Sequence, residues 1–83
     1  MNTIIFDIDL LALDLRKQCS EILFAYLFGS AREGNIRSGG DVDIAVWIDE
    51  KAERIDLIPK IVGLVEKNAA GAPCDLVFLN DAG

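Results

Sequence analysis

Histidine is absent from the 83 residues, and cysteine occurs only twice, at Cys19 and Cys74, with no CxxC spacing. Zinc centres are built largely from these two residue types, so such a site is nearly excluded, as is any mechanism that needs an imidazole base. Two unrelated cysteines make no disulfide framework either; they are expected as small buried hydrophobes in a reducing cytosol. Long apolar runs are also missing. The stretch from Ile22 to Gly29 is far too short to cross a bilayer, and the opening residues carry Asp7 and Asp9 in place of a basic leader. A cytoplasmic protein without membrane association is expected. Positive charge is scarce as well: 8 Lys+Arg stand against 14 Asp+Glu, a net charge of −6. Duplex binders neutralise phosphates with a basic face, so no broad nucleic-acid surface is expected, although a nucleotide held through metal ions remains compatible.

The chain that remains is 52% hydrophobic and 27% charged, the composition of a compact globule. Its length allows a single domain over residues 1–83. A domain so small buries only about 60% of its unfolded surface, so a partner that covers apolar area would stabilise it.

Ile5, Ile8, Leu11, Ala12, Leu15 and Cys19 recur at steps of three and four, which predicts an amphipathic helix over residues 4–18. Leu10 and Leu13 lie off that stripe and are either a contact surface or ordinary core under the second helix. Ile22–Phe28 is apolar at both parities and predicts a strand covered on both faces. Residues 29–40 hold four of the seven glycines and predict a tight turn at Gly29, one helical turn from Ser30, and a loop returning through Ser38-Gly39-Gly40. Val42–Ile48 predicts a second strand, with Asp41, Asp43, Ala45 and Trp47 on one face and Val42, Ile44, Val46 and Ile48 on the other. Ile55, Ile58, Val62, Val65 and Ala69 predict a helix. Asp56 is expected as its N-cap so that Pro59 falls in the first turn, with Gly71 at the C′ position. Cys74–Leu79 closes as a third strand. The fold class expected is α+β (mixed α/β): a small mixed three-stranded sheet with helices packed on it.

Asp41 and Asp43 interrupt an apolar strand two residues apart, so their carboxylates leave the same face, roughly 6–7 Å apart at the backbone. Carboxylates this close disfavour each other's ionisation unless a cation lies between them. Asp75 opens the third strand and joins the pair if the second and third strands are neighbours. Three hard oxygen ligands with open positions suit Mg²⁺ whose shell is completed by substrate phosphates. Taken alone, an isolated D-x-D more often ends a loop and faces solvent. Its context is Gly29-Ser30 at the end of the preceding strand, where a glycine admits close approach and the following amides can meet a phosphate.

Phe28-Gly29-Ser30, ten further residues, then Asp41-Val42-Asp43 before Ile44-Ala45-Val46 resembles the GS-x10-DxD signature of minimal nucleotidyltransferases (MNT) of the DNA polymerase β-like superfamily. Asp75, in a Cys-Asp-Leu-Val-Phe-Leu strand, matches that family's third carboxylate. The resemblance implies a polymerase β-like fold in which Gly29 and Ser30 hold the triphosphate of an NTP, most often ATP. Asp41 and Asp43 would bind two Mg²⁺ ions, and Asp75 would complete the metal site and activate the attacking hydroxyl. Two departures from the pattern are present: Gly40 replaces the usual serine before the first Asp, and Ala31-Arg32-Glu33 sits one position early. Arg32 is thus either a nucleotide contact or a solvated loop residue. Short members of the family are commonly antitoxins that modify a tyrosine of a HEPN ribonuclease toxin with AMP, a partner that a −6 chain could approach by electrostatic steering. A contact-only binding module and the catalytic half of a split enzyme are the other readings. The family usually continues with further helix beyond the point corresponding to Gly83, which leaves a truncated, a naturally minimal and a degraded form all open.

Overall fold

The computed structural model describes residues 3–29, 33–37 and 39–81. In chain order its elements are β1 (Thr3–Ile5), α1 (Ile8–Gln18), β2 (Ile22–Phe28), β3 (Asn35–Arg37), β4 (Val42–Ile48), α2 (Arg54–Asn68) and β5 (Cys74–Phe78), followed by a 3-10 turn at Leu79–Asp81. The main sheet has the order β2-β4-β5, antiparallel between β2 and β4 and parallel between β4 and β5. The α+β class and the small mixed sheet with helices on it are as the sequence predicts.

The first helix is shorter than its periodicity suggests. Thr3–Ile5 is a β-branched run and pairs antiparallel with Asn35–Arg37, inside the segment expected to be loop. Helix α1 then starts at Ile8 because Asp7 is a good N-cap; its Oδ1 accepts the Leu10 N–H at 3.1 Å. Leu11, Leu15 and Cys19 are buried, whereas Leu10 and Leu13 are exposed.

Helix α2 begins a turn's fraction early, with Glu53 rather than Asp56 at the N-cap. Pro59 therefore lies inside the helix, and the Ile55 carbonyl loses its i+4 donor. Ile55 is 79% exposed, so water can serve that oxygen. The inward stripe is also rotated from the expected one. Leu57, Ile61, Leu64 and Val65 are buried, while Ile55 and Ile58 face solvent. The helix is apolar over much of its circumference, and docking on the sheet selects the stripe. At its end Ala70, not Gly71, takes the left-handed C′ position at φ 52°, and the Gly71 N–H bonds to the Glu66 carbonyl at 2.8 Å.

Both helices lie on one side of the main sheet. Val42, Ile44, Val46 and Ile48 point at them and are almost fully buried. Strand β2 departs from expectation: it is an edge strand whose residues are mostly exposed, not one covered on both faces. Its second parity, Phe24, Tyr26 and Phe28, pairs with Trp47, Ala45 and Asp43 on the open side. The closing turn is latched to the sheet by Asn80. Its Oδ1 accepts the Ile48 N–H at 3.0 Å and its Nδ2 donates to the Ile48 carbonyl at 2.9 Å. Arg54 at the start of α2 holds Asp81 through a two-pronged ion pair at 2.7 and 2.8 Å and lies over the Phe78 ring.

Candidate active site

One end of the open sheet face carries the acidic residues. Phe28, Asp43 and Asp75 form a single row across the three strands: Phe28 pairs with Asp43, and Asp43 with Asp75. Residues so paired point the same way and neighbouring strands are about 4.8 Å apart, which sets the two carboxylates side by side. The Val42 N–H donates to the Pro73 carbonyl at 2.8 Å and fixes this register just ahead of the acidic row. Asp41 precedes β4 and is exposed. The sequence condition that Asp75 lie on a strand beside Asp43 is met.

Electrostatics single out Asp43. Partial loss of solvent, the charges of Asp75 and Asp41, and a hydrogen bond with Asp75 hold its carboxyl above the usual carboxylate range. Desolvation leads, and the neighbouring like charges add to it. Gly29 closes the row at the end of β2. Its φ is +66°, and a β-carbon there would lie 2.5 Å from the Asp43 Oδ2. The backbone conformation favours glycine, and any β-carbon would push the Asp43 carboxylate aside. The chain passes against the carboxylate with no side chain between them.

Ser30 and Arg32 lie outside the described residues. Among the described residues, no group of three or more Asp, Glu or Cys side chains is arranged to hold a metal ion by itself. The donor set still suits Mg²⁺, which is commonly held by one or two carboxylates while phosphates and water complete its shell. The Asp43–Asp75 pair supplies hard oxygens.

The cysteines take no part. Cys19 is buried and Cys74 half-buried, both with free thiols. Burial first, then the Asp75, Glu66 and Asp43 charges, push the Cys74 thiol up to about 11. Burial also raises Cys19. Neither is a thiolate nucleophile at neutral pH.

An aromatic group on the same open face was not anticipated. Phe24 stacks on Trp47 with ring centroids 6.0 Å apart and meets Tyr26 edge-on at 5.5 Å. The signal lay in parity: Phe24, Tyr26 and Phe28 alternate along β2, as Asp43 and Trp47 do along β4. An apolar groove of about 720 Å³ between α1 and β2 lies away from the acidic row. Among the described residues, no helix is long and apolar enough to cross a membrane.

The family model described as "Polymerase beta, Nucleotidyltransferase" matches residues 12–83, a span that includes Gly29, Asp41, Asp43 and Asp75. No curated protein and no solved structure matches the chain.

Proposed function

The chain belongs to the polymerase beta nucleotidyltransferase family, and from that premise we propose that it transfers AMP from ATP to a hydroxyl, the tyrosine of a HEPN ribonuclease, and so acts as an antitoxin. Nucleotidyl transfer itself follows from the family. The acceptor and the nucleobase are the finer part of the proposal.

The single observation that supports the site is the Asp43–Asp75 row beside Gly29. In the proposed reaction the acceptor oxygen attacks the α-phosphorus and forms a new P–O bond. The bond to the bridging oxygen breaks, and pyrophosphate leaves with its electron pair. The acceptor's proton passes to a carboxylate. No histidine exists to take it, and Asp75 is the candidate. Asp41 and Asp43 would hold Mg²⁺, which when bound supplies charge neutralisation on the phosphates. Gly29, with Ser30 and Arg32, would face the triphosphate.

The test is co-expression with a HEPN ribonuclease encoded beside this gene, followed by intact mass of the toxin. Growth rescue with an added AMP mass on a toxin tyrosine, both lost in Asp75→Asn, is the expected result. Rescue by the Asp41→Asn, Asp43→Asn double variant without added mass would instead establish neutralisation by contact alone.

A further inference from the structure

Strand β2 has a free edge. Among the described residues it pairs only with β4, so its outer backbone N–H and C=O groups have no strand beside them. Such edges template pairing with another chain, and monomeric proteins blunt them with charge, proline, brevity or a bulge. The seven residues Ile-Leu-Phe-Ala-Tyr-Leu-Phe contain neither charge nor proline, although 27% of the chain is charged. A bulge between Ile22 and Phe24 takes Leu23 out of the ladder and leaves Phe24–Phe28 as the regular, unblunted part of the edge. Beside the edge runs the 720 Å³ groove, walled by Leu11, Ala12 and Leu15 of α1.

We infer that this edge joins a second copy of the same chain, the two β2 strands pairing antiparallel about a two-fold axis through Ala25. A two-fold interface must be complementary to itself. Leu23-Phe24-Ala25-Tyr26-Leu27 meets that condition, because it reads nearly the same in either direction. In this register Ala25 opposes its own copy and Phe24 opposes the partner's Tyr26, while Leu23, which the bulge takes out of the ladder, falls near the partner's Leu27. The faces agree as well. Phe24 and Tyr26 share the open side through Trp47 and Ala45, whereas Ala25 and Leu27 share the helix side through Val46 and Ile44. Aromatic pairs thus form on one face, and Leu27 of each copy lies over the groove side on the other.

The area offered is sufficient. Phe24, Tyr26 and Phe28 are 45%, 56% and 39% exposed, which at 150–250 Å² per ring leaves roughly 300 Å² of aromatic surface on each copy. Leu23, 58% exposed, the backbone edge and the groove wall bring the pair to on the order of the 1,000 Å² that a specific interface needs. Each copy brings a charge of −6, so association tightens as salt screens the repulsion.

Sedimentation equilibrium on the full chain, from micromolar to millimolar concentration, tests this. A monomer–dimer equilibrium that tightens with added NaCl is expected. Ala25→Asp sets two carboxylates opposite each other on the axis and weakens the dimer at least tenfold, as does Ala25→Lys with two ammonium groups. An equimolar mixture of the two variants restores association, because opposite charges then meet across the axis. Leu23→Lys, at an exposed edge position, also weakens the dimer and serves if the Ala25 variants fail to fold. A chain monomeric throughout the range, a dimer indifferent to these substitutions, or a mixture no tighter than either variant alone overturns the proposal.

Discussion

At the scale of single residues, the acidic row behaves as a site held under repulsion. Asp43 keeps its proton to higher pH in the folded chain than in the unfolded one because solvent is partly withdrawn and Asp75 and Asp41 lie close. A carboxyl whose folded pKa is raised costs stability as pH climbs from the ordinary carboxylate value, about 3.9, through the raised one, since the folded state binds more protons there. In metal-free buffer, Asp43→Asn should therefore gain on the parent across that interval and stay ahead at neutral pH. Urea midpoints of the two proteins at several pH values measure the difference. Gly29 gives a second prediction. Alanine there meets both the +66° φ and the Asp43 carboxylate, so Gly29→Ala should lose roughly 1–3 kcal/mol of stability. A urea midpoint within error of the parent would remove the steric argument for close approach. Asp43 and Gly29 were legible in the sequence because both break a pattern, a charge within a strand and a glycine at its end. The effect of one on the other was not, since it depends on how β2 and β4 are registered.

At the scale of elements, legibility followed the strength of the local signal. Strand β4 stands as read, residue for residue, because its two parities differ sharply in polarity. Strand β2 was located correctly, but its environment was not. An apolar run at both parities fits a doubly covered strand and equally an edge strand with an aromatic outer face. The β1–β3 ribbon was invisible, since three-residue strands carry no period and their pairing is non-local. In α2 the apolar residues allow two stripes, and only packing decides between them. That choice makes a clear prediction. Leu57→Ala should cost about 2–5 kcal/mol as a core truncation, whereas Ile55→Ala, on the stripe first expected, should fall within about 0.5 kcal/mol of the parent. Chemical denaturation of both variants checks it, and equal losses would contradict the observed helix rotation.

At the scale of the whole molecule, the main sheet is covered on one side and, among the described residues, open on the other, and the open side carries both the acidic row and the aromatic group. The helices bury the inner face of β4, while the outer face stays accessible to substrate. The family match spans the same elements, from within α1 to the end of the chain. In the proposed function the crowded carboxylates share a cation with a nucleotide. The most direct measurement is the melting temperature of the parent and of Asp43→Asn, each with and without Mg²⁺ plus ATP. Ligand that binds only the folded state raises the midpoint according to its affinity. The account predicts a clear rise for the parent and none for Asp43→Asn. An equal rise in both proteins would contradict it, and the nucleotide would then have to bind somewhere other than beside Asp43.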